Sequence, residues 1–354
     1  MPQTRAPGVD VRPAGRDQTA PDYVDVLTAG RHGGRRRLRY EVRGPAGGVP
    51  VFLLHGTLGS RLGPRPRPVV LHRLGVRLIS YDRPGYGGSD RDEGRSVADA
   101  AADVETIADD LGLDLFAVVG RSGGGPHALA AAAGLPKRVA RAGALVSLAP
   151  AGADSLDWFG GMTKANVQEF STADEDEAKL IESLRLQADR IRRDPASKIS
   201  VMREQMTAPD LRVLHDASIR RLLAETYAEA LRTGPYGWID DVLALRRDWG
   251  FRLADIEQPV RLWHGDQDNF SPASHTRWLA DQIGERAQLQ VQSDTAHFGA
   301  MEVLPAMLAW IAAEMRADED RPAHWWLDSP PPATEFPASW SSEDVRLSPR
   351  PAAR

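Results

Sequence analysis

The sequence predicts an α/β fold: a mostly parallel eight-stranded sheet with helices on both faces, and a helical cap inserted between two of the strands. Three observations point there. Short apolar runs bounded by turn residues alternate with segments of helical periodicity. One glycine-rich turn, GRSGGG at 120–125, joins such a run to an alanine-rich segment. Between about 153 and 250 the alternation stops and helical periodicity alone remains, as in DEDEAKLIESLRLQADRIRRD and DLRVLHDASIRRLLAETYAEALRT.

In chain order, strands are expected at YVDVLT (23–28), RLRYEV (37–42), VFLLH (51–55), RLISYD (77–82), LFAVVG (115–120), GALVSLA (143–149), VRLWHG (260–265) and LQVQS (289–293). Each is rich in β-branched and aliphatic residues and ends at a turn former. Helices are expected near 66–74, 97–112, 123–134, 273–283 and 299–316. Crossovers of this kind between strands give a largely parallel sheet. The divisions that follow are an N-terminal arm (1–21), a core (22–152 and 251–316), a helical cap (153–250) and a Pro-rich tail (317–354). The arm and tail are too rich in Pro, Gly and charge to bury enough surface to offset their ordering entropy, although the tail carries Trp325, Trp326, Phe336 and Trp340. No internal repeat is present.

Composition narrows the function classes. A chain of 354 residues with 42% hydrophobic content builds a substantial core. Its formal net charge of −5, with arginines scattered among acids, argues against nucleic acid as a partner. The one basic cluster, Arg35 to Arg39, alternates with Leu38, Tyr40 and Val42 as an exposed strand face would. The absence of cysteine excludes disulfides, thiolate metal sites and a cysteine nucleophile. No stretch approaches the roughly 18 apolar residues that span a bilayer, and the first residues lack the apolar run of a secretion signal, so a cytoplasmic location without membrane partners is expected.

The glycine-rich turn raises the first chemical question. A strand ending at Gly120 and a helix starting near Gly123 leave Ser122 on a tight, strained turn. Side chains at Gly120 or Gly124 would strike the neighbouring strand or helix, and Pro126 suits a first helical turn. The hydroxyl is then held at the carboxyl edge of the sheet, beside a helix N-terminus that favours negative charge. G-x-S-x-G alone is a weak signal in a chain with 32 glycines; its strand-to-helix context strengthens it. Dinucleotide binding is disfavoured because Ser122 occupies the second glycine position of G-x-G-x-x-G.

A serine needs a base to take its proton and a third group to orient that base. Of nine histidines, His297 follows the last expected strand; His55 and His264 end strands, and His127 lies in the helix after the serine. The acid belongs at a strand end between serine and histidine, where GDQDNFSP offers Asp266 and Asp268; Asp268 is favoured because Asn269, Phe270 and Pro272 can lock it deep in the loop, and Asp266 suits a turn. Asp154 is a third candidate. A metal is not expected, because no second histidine stands at ligand spacing near HGDQD. Oxyanion donors are expected from Gly123 N–H and from Thr57 or Leu58 in the loop after VFLLHG, with His55 and Gly56 making a bend and tying loops together. Arg61 in the same loop is a candidate for a substrate anion or for a surface role.

Taken together, HGTLGSR, ISYDRPGYGGSD, GRSGGGPHALA, LWHGDQDNFSP and TAHFGAME resemble the α/β-hydrolase fold family, in its cap-bearing, cofactor-free, serine esterase-like branch, over about residues 22–316. The resemblance implies Ser122 as nucleophile, Asp268 as acid, His297 as base, Thr57 with Gly123 as oxyanion hole, no cofactor, and Asp82 with Arg83 bracing the site. Serine at 122 departs from the aspartate of dehalogenases and epoxide hydrolases, and the HGGPG pattern of prolyl iminopeptidases is missing. The expected activity is hydrolysis of a small-molecule carboxylic ester or related acyl compound. An acyltransferase, lyase or cyclising enzyme on the same residues, and a catalytically silent binding protein, are the alternatives. Trp158, Phe159, Trp238 and Phe270, with Met162 and Tyr236, are candidates for an apolar acyl pocket.

Overall fold

The computed structural model describes residues 23–317. The expected N-terminal arm, and the expected tail beyond Ala317 with its four aromatic residues, lie outside the described residues.

Eight strands form one sheet: β1 Val24–Ala29, β2 Arg35–Arg43, β3 Val49–Leu54, β4 Val76–Tyr81, β5 Phe116–Arg121, β6 Val139–Leu145, β7 Val260–Gly265 and β8 Ala287–Gln292. Their spatial order is β1-β2-β4-β3-β5-β6-β7-β8. The β1/β2 and β2/β4 pairs are antiparallel and the other pairs parallel. The order reverses around β3, so the loop after β3 and the turn after β5 emerge side by side at the carboxyl edge, where ligands of open α/β sheets bind.

Strand alternation splits the core into two layers, because successive side chains point to opposite faces. Phe52, Leu54, Phe116 and Val118 pack under α2 (after α1 Pro68–Leu74; α2 Ala100–Asp110) and α3 (Gly124–Gly134). Val51, Leu53, Ala117 and Val119 pack against Leu304, Met307 and Leu308 on the opposite face. The sixth strand begins earlier than the sequence suggested, because Arg141 disguises it. Its guanidinium is buried, donating to Ala140 O at 2.8 Å and lying 3.8 Å from Glu314. The strand stops at Leu145 because Val146 takes a positive φ of 47°.

Between β6 and β7 come six helices: α4 Lys164–Glu175, α5 Glu177–Arg193, α6 Ala196–Arg203, α7 Ala208–Val213, α8 Ala217–Ala230 and α9 Tyr236–Arg246. Caps start several of them: Thr163, Asp176 and Asp216 side chains accept from Asn166, Lys179 and Ser218 N–H groups. In α5 the buried residues are Leu180, Leu184, Ala188 and Ile191, one stripe at helical spacing. Helix α9 is buried nearly all round from Gly237 to Leu245, which makes it the central element of the insertion. Two helices close the chain, α10 Ala273–Ile283 and α11 Gly299–Ala317. Among the described residues no helix is long and apolar enough to cross a membrane.

Candidate active site

The turn after β5 carries Ser122 at a positive φ of 54°, a left-handed conformation that costs a non-glycine residue about 1 kcal/mol or more. Backbone bonds hold it there: Ser122 N–H donates to Leu145 O at 2.8 Å, and Gly125 N–H donates to Ser122 O at 2.8 Å. The flanking glycines follow from crowding. A Cβ on Gly120 would overlap the Gly124 carbonyl, and one on Gly124 would overlap Leu54 and His55 carbonyls. Chain enters and leaves the turn with no room for a side chain.

Asp268 sits in the loop after β7, buried. Its Oδ1 accepts from Phe270 N–H at 2.7 Å and Ser271 N–H at 3.1 Å. Its Oδ2 stands 2.8 Å from His297 Nδ1 and 3.1 Å from His264 Nε2. Burial opposes ionisation of this carboxyl, but His297 and the hydrogen bonds from both imidazoles outweigh it and hold it well below the usual carboxylate range. The bond to Asp268 engages Nδ1 of His297 and leaves the ring's Nε2 outside it. Asp266 and Asp154 are both exposed and make no hydrogen bond to an imidazole among the described residues.

Ser122 and His297 line one cavity of about 560 Å³, together with Thr57, Gly123, Trp238 and Phe270. Among the described residues the Ser122 hydroxyl makes no hydrogen bond to the imidazole; such contacts are often long before substrate binds. The Phe270 ring lies 5.3 Å from the His297 ring. Trp238 donates its indole N–H to Glu169 Oε1 at 3.1 Å. Trp158 and Phe159 do not line this cavity. Trp158 packs edge-on against Phe159, Phe170 and His275, donates to Ala149 O at 2.9 Å, and is covered by the Arg246 guanidinium 4.0 Å from its ring. Of the further aromatic and sulfur candidates, Tyr236 stacks outside under Arg91, and Met162 also stays off the cavity wall.

Thr57 and Gly123 approach each other across the cavity floor: a Cβ on Gly123 would stand 3.3 Å from Thr57 N and overlap its hydroxyl. Neither N–H group donates to a backbone carbonyl among the described residues. His55 is buried and ties two loops, with Nε2 accepting from Arg83 N–H at 3.1 Å and Nδ1 donating to Gly56 O at 2.9 Å. Burial and the nearby Arg83 charge push its pKa well down, so it stays neutral. His127 is likewise pushed down to about 3 by burial and Arg83, and its Nδ1 donates to Gly123 O at 2.7 Å.

Several supporting groups escaped the sequence reading. Asp241, from helix α9, binds Thr57 Oγ1 at 2.5 Å, Arg83 Nη2 at 2.5 Å, Tyr86 OH at 2.9 Å and Arg95 Nη2 at 2.5 Å. Despite full burial, Arg83 and Arg95 hold its pKa well below the usual range. The signal was an Asp240–Asp241 pair inside an otherwise apolar helix. Asp210 of α7 accepts from Phe298 N–H at 2.7 Å, beside His297, and burial raises its carboxyl to about 6. Ser271 Oγ donates to Val146 O at 2.8 Å and lies 3.3 Å from His297 Nδ1. Arg61, by contrast, is buried in ion pairs with Asp82, Glu41 and Glu229. Asp82 also accepts from Arg61 N–H and Gly88 N–H, so with Arg83 it braces the loops after β3 and β4. Among the described residues no group of three or more His, Asp or Glu side chains is placed to hold a metal ion.

Comparison with known proteins extends these observations. A provisionally named carbamate hydrolase, RutD, from Variovorax paradoxus strain S110 is 40% identical over 105 residues, which cover 29% of this chain and 40% of that protein. The chain thus spans less than half the length of the curated relatives it matches. A hydrolase structure from Pseudomonas aeruginosa PA01 superposes with a TM-score of 0.60 at 19% identity, covering 82% of this chain and 98% of that one. The enol-lactonase from Burkholderia xenovorans LB400 gives 0.58 at 18% identity, covering 82% and 100%. At such identities the likeness speaks for the fold. The family described as alpha/beta hydrolase fold matches residues 49–303, which run from β3 through the serine turn and the inserted helices into α11. With that match spanning most of the chain and the sheet order on the page, this protein belongs to the alpha/beta hydrolase fold family.

Proposed function

We propose that this protein is a serine hydrolase that cleaves a carboxylic ester, or a related acyl compound, of a small molecule through an acyl-enzyme. The observation that carries the reading is the 2.8 Å Asp268–His297 bond opening onto the cavity that Ser122 also lines. Family membership supports an enzyme of the hydrolase class. The carbamate hydrolase name of one relative and the enol-lactonase among the structural neighbours are both compatible with attack on an acyl carbon.

In this mechanism His297 Nε2 takes the Ser122 proton as Oγ attacks the carbonyl carbon. The N–H groups of Thr57 and Gly123 receive the oxyanion, and the ionised Asp268 stabilises the imidazolium. The imidazolium then protonates the leaving group, the acyl–Oγ ester remains, and water deprotonated by His297 completes the cycle. The inserted helices act as a cap that closes over the cavity, and Trp238 from the cap with Phe270 from the loop after β7 forms the apolar wall on the substrate. Asp241 holds the Thr57 loop against that cap.

Ser122→Ala should lower kcat on a panel of short-chain 4-nitrophenyl esters by about 10⁴ or more. A fluorophosphonate probe should label the wild-type protein at Ser122 and leave the variant unlabelled. Undiminished turnover in the variant would remove the proposal. Hydrolysis in ¹⁸O-labelled water should place label in the acid product; an unlabelled acyl product would favour transfer to another acceptor.

A further inference from the structure

Beside the serine, the cavity lining carries a cation that the mechanism leaves unused. Arg121 is the last residue of β5, immediately before Ser122, and its side chain lines the same cavity. A Cβ built on Gly56, in the loop that carries Thr57, would stand 3.8 Å from Arg121 Nη2, so the guanidinium sits beside the proposed oxyanion hole. Its Nη1 is buried without a hydrogen-bond partner, and among the described residues no ion pair engages the side chain.

That isolation distinguishes Arg121 from the other arginines near the sheet edge. Arg61, Arg83 and Arg95 are each paired with one or more carboxylates. Of the acids that feel the Arg121 charge, Asp268 is engaged with the two imidazoles, and Asp210 is engaged through Oδ1 with Phe298 N–H while its buried Oδ2 has no hydrogen-bond partner; neither forms an ion pair with Arg121. Desolvation opposes the charge on Arg121, with partial relief from those two acids. An Nη1 group withdrawn from water without a partner is costly, and a planar anion satisfies it and the neighbouring N–H groups with paired hydrogen bonds. The cavity lining as a whole leans the same way: Arg121, Lys179 and Lys198 stand against one carboxylate, Glu169, which lies in the field of Lys198.

We propose that Arg121 is a specificity-determining residue that binds a carboxylate on the substrate, close to the reacting carbonyl, so that the preferred substrates are short acidic esters such as half-esters of dicarboxylic acids. The inference rests on the serine hydrolase reading for the reaction, but the anion site is testable apart from it. In the complex the carboxylate accepts from the Arg121 N–H groups. The same contact fixes the acyl carbon over Ser122, which would appear as a gain in kcat/KM.

The test compares isosteric pairs in which a terminal methyl is replaced by a carboxylate: methyl butyrate against monomethyl succinate, and methyl valerate against monomethyl glutarate, by pH-stat at constant ionic strength. The wild type should favour the acidic member of at least one pair by about tenfold or more. Arg121→Gln should lower the acidic-to-neutral ratio of kcat/KM by about 10- to 100-fold, the range expected for a charged hydrogen bond. Arg121→Lys should restore part of the ratio. Equal preference in the wild type, or an equal fall on both members in Arg121→Gln, would overturn the proposal.

A binding arm separates the two readings. Titration calorimetry of free glutarate into Ser122→Ala should show binding that is lost in Ser122→Ala/Arg121→Gln, with circular dichroism confirming that both fold. Arg121-dependent glutarate binding without any ester turnover or fluorophosphonate adduct would uphold the anion site and overturn the hydrolase reading. Ester turnover with no acidic preference and no glutarate binding would do the reverse.

Discussion

At the scale of single residues, the acid loop shows how one carboxylate is committed. Asp268 receives two backbone N–H groups on Oδ1 and two imidazoles on Oδ2, so each of its oxygens is directed by partners from separate segments. Asp266, two residues earlier, is exposed, and its backbone N–H donates to Gln292 O at 2.9 Å. Asp268→Asn should therefore lower kcat on a cleaved ester by about 10³–10⁴, because the amide no longer fixes the imidazole tautomer or balances its charge. Asp266→Asn should stay within about threefold of wild type. Reversed ranking of the two variants would transfer the role to Asp266. The serine position was legible because a strand, four glycines and an alanine-rich helix all constrain the same turn. Arg121 was hidden in plain view: the variable position of the motif says nothing until the cavity is assembled around it and no ion pair is found to engage it among the described residues.

Among elements, α9 connects the insertion to the sheet edge. Its two adjacent acids take different partners: Asp240 binds Arg91 at 2.8 Å and Asp241 binds Arg83 and Arg95 at 2.5 Å. Breaking a buried network by removing one member leaves uncompensated charge, at a cost of about 3–5 kcal/mol. Asp241→Ala should fall in that range by urea unfolding, whereas Asp240→Ala, whose arginine is partly exposed, should cost less. Equal effects would show that α9 is held by its apolar packing alone. The five helices expected in the core were visible from periodicity, and α10 matches its expected span residue for residue. The insertion was legible only as helical, since its contacts are with distant segments. The basic cluster in β2 illustrates the same limit. Expected as an exposed face, it holds Arg36 in a buried pair with Asp103, and Arg39 binds Asp25 at 2.7 Å. Strand alternation gives the facing of a side chain and leaves open what arrives to cover it.

For the whole molecule, the insertion and core meet at the His297 loop, where Asp210 accepts from Phe298 N–H. Burial raises this carboxyl to about 6, above its unfolded value near 4. A carboxyl raised in this way contributes most to folding below its unfolded pKa, while it is protonated, and that contribution is lost as pH rises through about 6. Relative to Asp210→Asn, which keeps the acceptor and cannot ionise, wild-type stability should fall by about 2–3 kcal/mol between pH 4 and pH 7. Urea unfolding of both proteins across that interval measures the difference. A flat difference would mean that Asp210 stays ionised throughout, compensated by His297 and Arg121.

What the sequence determined alone was local: strand and helix positions, the strained serine turn between Gly120 and Gly124, and the order of the chemical motifs, because periodicity and glycine sterics act between neighbours. Through the family resemblance it also named Ser122, Asp268 and His297 as one expected set. Only the tertiary structure decided which side chains share the cavity, why Trp238 lines it while Trp158 packs under Arg246, and where Asp241, Asp210 and Arg121 stand around it. Those outcomes depend on which charges remain unpaired after segments more than a hundred residues apart have packed, and short-range pattern carries no record of that.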